Sequence, residues 1–367
     1  MLKRLGTGHL LIGTGFLVMA GLVMVYSASA ARAELKHDSS LYFALRQLGG
    51  VGAGVVLAAA IAFAPRELLR RSGFPAWFLA CALLAATVFS GFGTATNGAQ
   101  RWLIVGGVVI QPLEFAKLAM ILVLAQWFSI YPQRIADLRV SLLFPAALAL
   151  IPIGLLLRQP DFGGALMVAI FTGVMIFTAG ARVSHLALVG AVALPLLLFL
   201  GGQEGYRIDR VRAFIDPRAD PTGSGYQLIQ SLLSFGAGGL FGVGLGGSQQ
   251  KLFFLPEAHT DFILSVLAEE AGLVGVLVVL ATFLVVGLAS LAIAARARDP
   301  HGMLLAAGAS LMIWLQGLLN AGVAMGLLPT KGTTLPLFSY GRSSLIASLA
   351  AVGLVLHVAR AERGGWR

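Results

Sequence analysis

Between Lys251 and Asp261 the chain places an ammonium, two carboxylates (Glu257 and Asp261), an imidazole (His259) and a hydroxyl (Thr260) within eleven residues. Phe253, Phe254 and Pro256 lie among them, and an apolar run follows directly. A carboxylate at such a boundary is partly desolvated, which raises its pKa and makes it a better base. Asp261 is therefore the candidate proton acceptor, with Glu257 or His259 able to orient it or share its proton. The plainer reading is that Thr260 or Asp261 caps the following helix while its neighbours are solvated.

Other ionisable residues fall in or at the edges of apolar stretches, where each is costly: Glu114, Lys117, Asp161, Glu269 and Glu270, with Arg101 and Lys251 nearby in polar segments. Glu114 and Lys117 are three apart on one helical face and can pair, and Pro112 suits a first helical turn. An internal ion pair and a substrate contact both fit them. Asp161 ends the polar turn Arg158-Gln159-Pro160-Asp161 and can cap the next helix. The single Cys81 rules out a disulfide framework, and six scattered histidines give no zinc-type spacing. Gly242-Val243-Gly244-Leu245-Gly246-Gly247 could cradle a phosphate, but it lacks the strand–turn–helix context, so close packing of interfacial segments is the favoured reading.

The elements that must position these residues are set by composition. Hydrophobic residues make up 58% of the 367 and charged ones 11%, where a soluble domain carries roughly a quarter charged. Apolar stretches of spanning length, about 20 residues, recur near 8–28, 46–64, 75–92, 112–131, 141–157, 162–180, 184–201, 270–294, 303–326 and 342–360. The expectation is an all-α polytopic membrane protein, residues 1–367 forming a single membrane domain of about ten spans. Ten spans put both termini on one side. Loops on that side hold thirteen cations, among them Lys3, Arg4, Arg66, Arg70, Arg71, Arg296 and Arg298, against four acids, and so carry nearly all of the +10 net charge. The positive-inside rule then makes that side cytoplasmic. The basic balance is topological and argues against a nucleic-acid partner. Lys3-Arg4, the apolar run and the small residues at 27–33 mimic a signal peptide, but the run is long for one and an uncleaved first helix is expected.

The longest extracytoplasmic loop, 202–269, lies between spans 7 and 8. Tyr206, Phe214, Tyr226, Phe235 and Phe241 give it apolar surface to bury, and its clustered glycines suggest tight re-entrant backbone held in protein.

Several blocks in order resemble the SEDS family (shape, elongation, division and sporulation). They are Tyr26-Ser27-Ala28-Ser29, Asn97-Gly98-Ala99-Gln100-Arg101-Trp102, Gln111-Pro112-Leu113-Glu114-Phe115-Ala116-Lys117, Gln159-Pro160-Asp161, Gly225-Tyr226-Gln227, Leu255-Pro256-Glu257-Ala258-His259-Thr260-Asp261 and Pro336-Leu337-Phe338-Ser339-Tyr340-Gly341. Gln250-Lys251, Ala258 and Pro329-Thr330-Lys331-Gly332-Thr333-Thr334-Leu335-Pro336 resemble the division (FtsW-type) branch more than the elongation (RodA-type) branch. The chain departs from the family pattern at Leu113, where the family usually has Ser, and at Arg342, where it has a second Gly; Arg342 puts close backbone packing at the last span in doubt.

The resemblance implies a peptidoglycan glycosyltransferase of the bacterial cytoplasmic membrane that polymerises lipid II on the outer face. It implies Asp261 as the essential acidic residue, and a partner that is a class B penicillin-binding protein, among other division or elongation proteins. Attack of a sugar hydroxyl on an anomeric carbon with diphosphate leaving needs a base and nearby positive charge. Arg101, Lys117, Arg210 and Lys251 are the candidates for that charge. Trp102 could stack on a sugar or anchor at the interface, and Glu114, Asp161, Glu257 and His259 are further substrate contacts. No cofactor is demanded by spacing, although a divalent cation (Mg or Mn) could bridge carboxylate and diphosphate. The rival readings are a lipid II flippase and a scaffold. Transport predicts charges near the midplane on broken helices, and here they cluster at the outer edge.

Overall fold

The computed structural model describes residues 5–89, 93–96, 99–188, 190–191 and 205–363. Among these, seven helices are long and apolar enough to cross a membrane. They are α1 (Thr7–His37), α2 (Tyr42–Phe63), α5 (Pro112–Ile130), α6 (Phe144–Arg158, entered through a π turn at Arg139–Leu143), α10 (Ile263–Ala294), α11 (Pro300–Ala324) and α12 (Arg342–Arg363). Two shorter apolar helices, α4 (Gly73–Phe89) and α7 (Phe162–Thr178), occupy two more expected spans, and α3 (Arg66–Arg71) is a short connector. The expected span 184–201 starts helically at 183–188 and otherwise lies outside the described residues. The chain is a multi-pass membrane protein.

Within the bundle α5, α11 and α12 are the most buried spans, whereas α2 turns most of its surface outward. Without a hydrophobic drive between helices in lipid, close approach depends on small residues. The buried face of α2 is Gly50, Gly54, Ala58 and Ala62, four apart, and α12 lies along it. A Cβ on Gly50 would sit 3.3 Å from Cγ of Arg342. The stem of Arg342 thus fills the space that glycine leaves, and close packing at the start of α12 survives the departure from the family pattern. Leu113 packs likewise against Gly164 at the start of α7.

Two features depart from the sequence reading. The segment expected as a loop at 93–111 is an antiparallel sheet of β1 (Gly93–Thr96), β2 (Ala99–Val105) and β3 (Val108–Ile110), in that order. Val105 pairs with Val108 across Gly106-Gly107, whose φ angles of 56° and 78° are those of a two-residue hairpin turn. The long loop is also largely ordered structure: α8 (Gly205–Ile215), α9 (Tyr226–Gly238) and the first turns of α10, which begins at Ile263 rather than near 270.

At Gly272 (φ 66°, ψ −167°) α10 is broken. Four of the groups beside the break bond to the glycine-rich segment after α9. Val243 and Gly244 donate to the carbonyls of Glu269 and Glu270 at 2.9 and 3.0 Å, while Leu273 and Val274 donate to those of Gly239 and Leu240 at 2.9 and 3.2 Å. A Cβ on Gly272 would collide with the Leu240 carbonyl and the Gly242 amide. Gly242 and Gly272 serve close packing, whereas Gly244 and Gly246 have open space around them and supply positive φ angles of 98° and 82°. The amides of Val243 and Gly244, which a phosphate cradle would use, are already spent.

Candidate active site

Asp261 sits on the turn just before α10, held by its backbone. Buried Leu255, Ala258 and Phe262 anchor the turn. The amides of Thr260 and Phe262 donate to the Glu257 carbonyl at 3.1 and 3.2 Å. Asn320, from α11, donates to the Asp261 carbonyl at 2.8 Å and also to that of Thr333. Neither Thr260 nor Asp261 caps the helix; Phe262 occupies that position with no side-chain bond, and the Thr260 hydroxyl instead donates to the Glu257 carboxylate at 2.9 Å. The capping reading is therefore wrong here. The Asp261 carboxylate accepts no hydrogen bond among the described residues. Burial, with the nearby charge of Glu257, pushes its pKa up to about 7, against the pull of Arg210 and Arg101. At neutral pH it stands poised between acid and base.

His259 does not share that proton. Its ring is buried against Phe43 and Tyr340, at centroid distances of 5.0 and 5.6 Å, and its carbonyl accepts the Tyr340 amide at 3.0 Å. Burial pushes the imidazole down to about 4, so it is neutral and positions the turn. Glu257 does act on Asp261, through its charge.

The spine of the site is the extended segment 330–334 between α11 and α12. The Thr330 carbonyl accepts from Arg210 of α8 at 3.3 Å. The Lys331 chain lies across Gly163 at the start of α7. Gly332 faces the Asp261 carboxylate, where a Cβ would be 3.1 Å from Oδ2. The Thr334 carbonyl accepts from Gln316 at 3.1 Å. One strand of backbone thus collects contributions from α7, α8, α11 and the Asp261 turn.

Lys331 is the residue that sequence reasoning missed, since its block served there only as a family marker. Burial lowers its pKa to about 8; Asp161 and Glu114 hold it up, and Lys117 and Arg101 press it down. Those influences identify its neighbours. Arg101, on β2, donates to the Pro160 carbonyl at 2.7 Å and lies 3.8 Å from Asp161. Asp161 caps α7, as expected, by accepting the Gly164 amide at 3.0 Å. Glu114 and Lys117 form the expected internal pair at 2.8 Å, almost wholly buried, with Lys117 also donating to Gln316. Gln316 and Asn320, polar and four apart in the last turns of a mostly apolar helix, were the overlooked signal for this side of the site.

One expected residue, Lys251, is placed differently. Lys251 is bound to Glu270 at 2.7 Å and to Ser27 of α1 at 2.9 Å, inside the packing around the α10 break. Its charge is committed there. Trp102 pairs with Thr94 of β1, directly beside the bulge at which the β1–β2 register skips Arg101.

Residues 8–364 match the FtsW–RodA–SpoVE family model, described as cell cycle protein. The chain belongs to this family. It is 43% identical over 338 residues to the probable peptidoglycan glycosyltransferase FtsW of Trichlorobacter lovleyi, covering 92% of this chain and 89% of that one. Stage V sporulation protein E of Bacillus subtilis is 41% identical over 355 residues, covering 96% and 97%. A solved structure concerned with coordination of polymerisation and crosslinking by a peptidoglycan synthase complex superposes with a TM-score of 0.80 at 36% identity, covering 98% of each chain. The crystal structure of the rod shape determining protein RodA of Thermus thermophilus gives 0.72 at 33% identity, again over 98% of each chain. In this chain the Asp261 turn and the 330–334 segment bring Asp261 and Lys331 to the same end of the bundle as Arg101 and Arg210.

Proposed function

We propose that this protein is a peptidoglycan glycosyltransferase of the division branch, acting on lipid II at the outer face of the bacterial cytoplasmic membrane with both termini in the cytoplasm. The observation that carries the reading is the Asp261 carboxyl: free of hydrogen bonds among the described residues, raised to about 7, and faced by Arg101 and Arg210. The acceptor's 4-hydroxyl gives its proton to Asp261 as its oxygen bonds to the donor's anomeric carbon. The bond from that carbon to the diphosphate breaks, and the configuration inverts from α to β. Arg101, Arg210 and Lys331 offset the charge developing on the leaving group, the arginines by paired N–H donors and the lysine as a point charge. Among the described residues no three His, Cys, Asp or Glu side chains gather to hold a metal ion. A divalent cation would accordingly take its ligands mainly from the diphosphate.

A carrier reading could cite the broken α10, but the Glu269 and Glu270 carbonyls at the break accept from the Val243 and Gly244 amides of the protein itself. The relatives' names support an enzyme, and the synthase-complex structure supports a class B penicillin-binding protein as partner. The deciding experiment supplies fluorescent lipid II to the purified protein and its partner and resolves glycan polymer on a gel. Polymer from wild type and none from Asp261→Asn is expected. Undiminished polymer from the variant would remove Asp261 from the mechanism. Lipid II translocation without polymer would replace the enzyme by a carrier.

A further inference from the structure

At the far end of α11 from Asp261 there is a second polar site that the glycosyl-transfer chemistry does not use. Asn320 lies 19 positions after His301 on the helix, roughly 28 Å at 1.5 Å per residue. Here a cavity of about 220 Å³ opens between the start of α3, the α10–α11 turn and the end of α12. Its polar lining is Arg66, Arg298, Asp299, His301, His357 and Glu362. This is the end of the bundle where the basic loops gather.

The charges within it are unevenly satisfied. Asp299 is neutralised by Arg66 at 2.7 Å and caps α11 by accepting the Gly302 amide at 3.2 Å. Arg298 is exposed and makes no ion pair among the described residues. His301 is only 2% exposed, and its Nε2 is buried with no hydrogen-bond partner. A buried imidazole nitrogen left unbonded beside a polar cavity is unusual, because such atoms are normally satisfied. That nitrogen can bond a polar group that enters the cavity.

We propose that this cavity binds a phosphate ester, with the Arg298 guanidinium and His301 Nε2 as its donors. A guanidinium fork matches two phosphoryl oxygens. Basic pockets between spanning helices at the membrane surface suit phospholipid headgroups. Outward-facing Phe63 and Leu68 flank Arg66 in sequence and would meet acyl chains. The same chemistry would accept a soluble phosphate.

The test uses the full-length purified protein in mild detergent and follows its thermal unfolding, since a ligand that binds only the folded state raises Tm with a saturating dependence on concentration. The titrants are dioctanoyl phosphatidylglycerol, dioctanoylglycerol (the same chains without phosphate) and inorganic phosphate. Wild type is expected to respond to the phospholipid and not to dioctanoylglycerol. Arg298→Gln and His301→Gln should each weaken the apparent affinity about tenfold, the scale of one charge-assisted hydrogen bond, while Arg182→Gln, outside the cavity, should not. Inorganic phosphate acting alone, and failing in the same variants, would support the site and make a soluble anion its source. An equal response to dioctanoylglycerol, or a phospholipid response that survives in Arg298→Gln, would overturn the proposal. Arg298 is exposed, so that variant decides even where His301→Gln folds poorly.

Discussion

Two groups of carboxylates lie less than ten residues apart, at the start of one helix, and have opposite fates. Glu269 and Glu270 are buried at the α10 break and fully matched. Glu269 accepts from the Ser248 hydroxyl and the amides of Gln249 and Gln250, and Glu270 is bonded by Lys251 and Ser27. Asp261 has comparable cations in its surroundings, yet they are held by other groups, Arg101 by Pro160 and Asp161 and Arg210 by Thr330. The first pair ties the segment 248–251 and α1 to the region of the break. The second leaves one carboxyl with an unsettled proton. Partners, rather than burial or residue type, separate structure from chemistry here.

The largest effect that would sharpen this contrast is Asp261→Asn. It should cost about 10² to 10⁴ in polymerisation rate, the usual scale for a general base, while the thermal unfolding midpoint is held or raised, since an amide removes the burial cost of the charge. A loss of stability equal to that of a structural carboxylate would break the distinction. Glu270→Gln should do the reverse. Leaving Lys251 largely buried without its counter-charge should destabilise the fold by about 3–5 kcal/mol, measured by unfolding in detergent, and replacing Lys251 and Glu270 together by Met should recover most of it. Gly272→Ala should cost about 1–3 kcal/mol from the left-handed φ alone, with more from collision with the Leu240 carbonyl, read in the same assay.

The smallest effect is a matter of pH. The carboxylate is the active form of Asp261, so the rate should rise with pH through about 7. Lys331 must keep its proton to oppose the diphosphate, so the rate should fall through about 8. Lys331→Arg, which stays charged, should move the alkaline limb upward and leave the acid limb in place. A profile flat from about 6 to about 9 would detach both groups from the chemistry.

Much of this was legible in the residues. The spans followed from apolar length, the Glu114–Lys117 pair from its spacing of three, and the Asp161 cap from its place after a polar turn. The hairpin at Gly106-Gly107 is also written locally, as two glycines between short apolar runs, but a drop in hydropathy between spans does not by itself distinguish a hairpin from a loop. Lys251 and Lys331 could not have been told apart by sequence. Both are lysines in polar segments beside a conspicuous motif, and only the path of the chain decides that one is tied to Glu270 while the other lies over Gly163.

What the sequence determined by itself was the solvent of the protein and the place to look: composition demands a bilayer, and the density of ionisable groups before an apolar run points at Asp261. What only the tertiary structure decided was which of those groups are already satisfied. Hydropathy and local spacing are sums over neighbours in the chain. The groups around Asp261, Lys251 and Lys331 come from α1, α7, α8, α10 and α11, and whether a buried charge stabilises the fold or stays available for chemistry depends on contacts that no local pattern records.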